Sequence, residues 1–101
     1  MTATGYVENP VRIFPKDPDA KLSYGFNLTD WLDGDTIADN SWTKYPASGT
    51  LTIESDAYDD SRVLVTLSGG AVGETYDLTA HWTTHNGDED NRTFRVNIEE
   101  R

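Results

Sequence analysis

Cysteine is missing from this chain of 101 residues, so no disulfide can staple it, and a zinc site would have to be built from its two histidines and carboxylates. Basic side chains are scarce. Eight Lys and Arg stand against eighteen Asp and Glu, for a formal charge of −10. The eight are scattered along the chain from Arg12 to Arg101, which disfavours a phosphate backbone or an anionic membrane as partner. No apolar run is long enough to span a bilayer, and no basic-then-apolar start marks a Sec signal, so the expectation is a soluble chain. Neither G-x-S-x-G, nor a cysteine nucleophile, nor a glycine loop opening a helix occurs, and no enzyme activity or cofactor is expected. At this length there is room for one domain and one core.

What is present is alternation. Leu22, Tyr24, Phe26 and Leu28 share one parity and Ser23, Gly25, Asn27 and Thr29 the other, as an extended strand with one buried face requires. After it, residues 29–35 offer capping side chains, one turn and a glycine stop, which predicts a short helical turn placing Trp31 and Leu32 over one end of a core. Residues 36–43 read as the next strand, 46–49 as a turn, and 51–55 as a short strand with Leu51 and Ile53 inward. An acidic loop is predicted at 56–61. In residues 62–67, Val63, Val65 and Leu67 alternate with Leu64 and Thr66, so that Leu64 interrupts the polar face.

The final hairpin is the clearest element. Tyr76, Leu78, Ala80 and Trp82 line one strand and Phe94, Val96 and Ile98 the other, with Asn86-Gly87 in the loop. Short strands spaced by turn signals, without a helical period longer than a turn, predict an all-β, immunoglobulin-like antiparallel β-sandwich of about seven strands. Tyr76 stands where a corner tyrosine would, its hydroxyl expected to satisfy a loop carbonyl. The domain is expected over residues 16–101. Residues 1–15, apolar at Tyr6, Val7, Val11, Ile13 and Phe14 and interrupted by Pro10 and Pro15, read either as an edge strand or as an extended N-terminal arm that pairs with a neighbouring subunit.

Candidate chemistry is sparse. His81 and His85 lie about 13 Å apart along a strand, too far for one zinc ion, and are expected to be exposed. Carboxylates gather in three turns: Asp30, Asp33 and Asp35; Asp56, Asp59 and Asp60; Asp88, Glu89 and Asp90. Their oxygens suit calcium, but none of the turns has EF-hand spacing, and solvated acidic loops are the plainer reading. The acidity as a whole reads first as solubility and second as a docking face for a basic partner. Trp31, Tyr45 and Tyr58 are the aromatics left for a sugar-stacking platform, Trp42 and Trp82 being assigned to the core.

The segment 16–32, Trp42 and Leu67-Ser68-Gly69-Gly70-Ala71-Val72-Gly73-Glu74-Thr75-Tyr76 together resemble the small immunoglobulin-like proteins of tailed bacteriophages and prophages, the fiber-tail adaptors and related virion proteins. The resemblance covers roughly residues 16–98 and implies a non-enzymatic virion component, assembled in the bacterial host cytoplasm, at the head-tail or tail-fibre junction. It implies other virion proteins as partners and a homo-oligomer in the particle, with neither nucleic acid nor membrane. Contacts are then expected at Tyr6, Val7, Ile13 and Phe14 on the arm, Trp31 and Leu32 at the sandwich end, and Leu64 on the outward face. The alternative is a capsid decoration or head-fibre protein of the same fold that binds host surface glycans or cements capsomers.

Overall fold

Residues 12–100 are described by a computed structural model, and in them the alternating segments pair into two sheets. The strands are β1 (Arg12–Lys16), β2 (Lys21–Asn27), β3 (Ile37–Tyr45), β4 (Leu51–Tyr58), β5 (Arg62–Gly69), β6 (Thr75–Thr84) and β7 (Glu89–Ile98), with one helical turn, α1 (Thr29–Leu32), after β2. One sheet has the order β1-β7-β6-β3 and the other β2-β5-β4. All pairings are antiparallel except β1 with β7, which is parallel, Arg12 lying beside Phe94 and Lys16 beside Ile98. Residues 12–16 are therefore an edge strand of the sandwich itself. Tyr6 and Val7 lie outside the described residues.

Parity decides which side chains meet between the sheets. Val63, Val65 and Leu67 on β5 are fully buried, as are Leu78 and Ala80 on β6 and Val96 on β7, while Phe94 and Trp82 are within a per cent of it. Phe94 is a hub whose ring lies 5.3–6.0 Å from those of Phe14, Tyr24, Phe26 and Trp42. These tilted and edge-on contacts suit the ring quadrupoles and fill the β1–β2 side of the core. Leu22, which shares the parity of Tyr24 and Phe26, remains 40% exposed because it sits near the start of an edge strand.

β4 runs further than the sequence suggests. A bulge between Ile53 and Ser55 shifts the register, and pairing then continues with Asp56 opposite Val65 and Tyr58 opposite Val63, so the acidic loop shrinks to 59–61. The extension is locked across the sandwich edge: Asn40 Nδ2 donates to the Ala57 carbonyl at 3.0 Å and the Tyr58 hydroxyl to that of Ala38 at 2.8 Å. The turn at α1 is as expected, with Leu28 at its N-cap, and the side chain of Asn27 before it fastens the first helical residue. Its Oδ1 accepts from the Thr29 amide and hydroxyl at 3.0 and 2.6 Å, and Asp33 takes the left-handed conformation that stops the turn.

Candidate docking surfaces

The two ends of the sandwich are built differently. At one end, the Tyr76 hydroxyl accepts from the amides of Thr50 (3.0 Å) and Leu51 (3.4 Å) and donates to Glu74 Oε1 (2.8 Å). The corner tyrosine thus serves amides, and not the carbonyl expected from the sequence, because its own proton is committed to the carboxylate. Glu74 Oε1 also accepts from the Ala71 amide at 2.8 Å and the Thr50 hydroxyl at 2.9 Å. The Ala71 amide, then the Tyr76 and Thr50 hydroxyls, hold its pKa below the usual carboxylate range. Beside this corner, the buried Lys16 ammonium donates to the carbonyls of Gly69 (2.7 Å) and Asp17 (3.0 Å), and desolvation lowers its pKa.

At the other end, backbone bonds draw three loops together. Leu28 N donates to Ser61 O at 2.7 Å, Ile37 N to Asp60 O at 3.0 Å and His85 N to Thr36 O at 3.0 Å. The turns carrying Asp30, Asp33 and Asp35, then Asp59 and Asp60, then Asp88, Glu89 and Asp90 therefore share one end of the molecule, and all but Asp35 are exposed. Asp35 accepts from the Thr36 amide at 2.8 Å, and the Thr84 hydroxyl, followed by the amides of Thr36 and Asn86, keeps its pKa low. Asp59 is engaged by the Arg62 guanidinium at 2.9 and 2.6 Å, and by the amides of Ser61 and Arg62, in a shallow open hollow completed by Asn27 and Asp60. The remaining carboxylates face solvent with little basic charge among them. Among the described residues, no group of three or more His, Asp or Glu side chains is placed to hold a metal ion. His81 bonds laterally to Asn91 (2.5 Å) and Glu89 (3.0 Å), and His85 Nδ1 to the Thr36 hydroxyl (2.8 Å).

The contact residues expected from the sequence scatter. Ile13 is 55% exposed on the outer side of β1. Phe14 is half-buried against Tyr24 and Phe94, and Trp31 packs edge-on against Trp82 at 5.4 Å. Leu32, at 7% exposure, belongs to the core, because the turn of α1 directs it inward. Leu64 is half-buried on the outer face between Gly25 and Ala57, and a Cβ on Gly25 would meet Leu64 Cδ2 at 2.6 Å. The sugar platform does not assemble. Tyr45 and Tyr58 lie toward opposite ends of β3, since Tyr58 bonds to Ala38, seven residues or roughly 23 Å of strand from Tyr45.

A row across the outer face of the four-stranded sheet has no signature in the sequence. Tyr45, Asp77, Arg95 and Ile13 are consecutive cross-strand neighbours on β3, β6, β7 and β1. Arg95 donates to Asp77 through Nε at 2.8 Å and Nη2 at 3.4 Å. Polar side chains flanking it are also bonded laterally, Thr79 to Thr93 at 2.8 Å and Thr75 to Asn97 at 3.1 Å.

A family model described as podophage GP4 fiber-tail adaptor protein gp77 matches residues 16–97. The solution structure of the PKD domain from KIAA 1837 protein superposes with a TM-score of 0.57 at 18% identity, covering 99% of this chain and 94% of that one, a likeness of fold. No curated protein matches the sequence.

Proposed function

Because this chain belongs to the podophage GP4 fiber-tail adaptor (gp77) family, we propose that it is a non-enzymatic structural protein of a tailed-phage virion that joins other virion proteins at the head-tail or tail-fibre junction. The observation that supports a docking role is the convergence of the three acidic turns on one end of a rigid sandwich. A predominantly negative, solvated end steers a basic partner surface to it and repels nucleic acid, so the partner is a protein with clustered Lys and Arg. The geometry offers an adaptor two unlike ends, one where carboxylates face solvent among the described residues and one where the corner closes the core.

Two measurements test this. Cryo-electron microscopy of purified particles should find the domain at the junction with this end against a basic surface. Location on the capsid shell would support the decoration reading, and absence from particles would defeat both. In pull-downs with purified tail proteins, capture should weaken as salt rises and in an Asp33→Asn/Asp60→Asn/Asp88→Asn variant. Capture indifferent to both would remove the acidic end as the contact.

A further inference from the structure

We infer that the outer face of the β1-β7-β6-β3 sheet is a self-complementary surface on which a second copy of this chain docks about a two-fold axis lying in the face, parallel to the strands and between β6 and β7.

Strand register carries this inference, independently of the adaptor reading. Across the face the row runs Tyr45, Asp77, Arg95, Ile13. Rotation about the stated axis exchanges β6 with β7 and β3 with β1 while keeping each row level. Tyr45 then meets Ile13 of the second copy, and Asp77 meets Arg95 of the second copy, twice over. Aromatic lies on aliphatic and acid on base. In the next row, Thr79 meets Thr93. The other in-plane axis, across the strands, would set each Asp77 against its own copy, which like-charge repulsion opposes.

Three further observations favour this occupant. Ile13 and Tyr45, at 55% and 76%, are among the large apolar side chains the fold leaves exposed, and they bracket this one row. The charges on the row itself cancel, Asp77 against Arg95, so the centre of the face is neutral in a molecule of −10, while Asp39 and Glu89 lie at its far edge, level with Thr83. Along β6 and β7, Thr75 with Asn97, Thr79 with Thr93 and His81 with Asn91 are already bonded to one another, which lowers the cost of covering them. Four strands at about 4.8 Å spacing and ten residues at about 3.4 Å give a face of roughly 500–650 Å² per copy. That is near the lower limit for a specific complex, so the dimer is weak, and sheet twist confines close fit to the central rows. Both acidic ends of such a dimer point the same way.

Sedimentation equilibrium on the full chain tests this. The expectation is a reversible monomer–dimer equilibrium at micromolar and higher concentration. Asp77→Arg or Arg95→Asp alone should weaken it by about tenfold or more, whereas an equimolar mixture of the two variants should associate as a heterodimer, because each acid again faces a base. Should either reversal disturb the fold by circular dichroism, Tyr45→Ser and Ile13→Ser alter mostly exposed side chains and should each weaken the dimer severalfold. A chain that stays monomeric to millimolar concentration, or a dimer unmoved by Tyr45→Ser and Ile13→Ser, overturns the inference, as does failure of two folded charge variants to pair.

Discussion

The two ends of this sandwich use carboxylates in opposite ways. At the corner, Glu74 accepts three protein donors and ties the 46–50 and 70–75 loops through the Tyr76 hydroxyl. At the acidic end, backbone bonds hold the loops and most carboxylates are left to water. A carboxylate surrounded by donors is part of the fold, while one facing solvent contributes a field and little stability. The same residue type is structural at one end and available for binding at the other.

Substitution by alanine at a glycine of each end should expose this contrast most strongly. Gly49 has φ +112°, and a Cβ there would run into the Tyr76 hydroxyl. Gly49→Ala is expected to cost about 2–4 kcal/mol in urea unfolding, from overpacking and backbone strain together. Tyr76→Phe keeps the ring in the core and strips the hydroxyl from Thr50, Leu51 and Glu74, for a loss of about 1–3 kcal/mol. At the acidic end, Gly34 has φ +94° and nothing within 4 Å of the place a methyl group would take, so Gly34→Ala should cost only the left-handed backbone term, about 1 kcal/mol. If the two glycine variants are equally destabilised, the corner is not the tighter end.

Acid should act at both ends through particular groups. Glu74, Asp35 and Asp59 all have folded-state pKa values below their ordinary range. Such a group contributes stability above its unfolded pKa and loses it as pH falls through the folded value. The melting temperature should therefore hold from neutral to about pH 4 and fall below it, and Glu74→Gln should flatten that fall. Smallest of all, Asp60→Asn or Asp88→Asn should leave the melting temperature unchanged or slightly raised, within about 0.5 kcal/mol, because each removes one like charge from a crowded, solvated end. A marked destabilisation would mean that these carboxylates belong to the fold after all.

The hairpin of β6 and β7 was legible over most of its length, because Tyr76, Leu78, Ala80 and Trp82, and then Phe94, Val96 and Ile98, repeat the alternation often enough to show it. β4 was half-legible: its bulge breaks the alternation at Glu54, so the continuation through Asp56 and Tyr58 carries no periodic signal. Trp31 and Leu32 were legible as lying over one end of the core, but one turn of helix is too short to show which of the two points further inward. The three acidic turns were visible singly, and nothing in their spacing says that they share an end.

Sequence alone determined the pleated, two-faced character of these strands, since side-chain parity is a property of the extended backbone at each residue. It also carried the family, through a turn-and-strand pattern that the match over residues 16–97 bears out. Strand order and register were decided by the tertiary structure. Pairing joins residues far apart in the chain, and so it alone could set Tyr45, Asp77, Arg95 and Ile13 in one row and gather the acidic loops at one end.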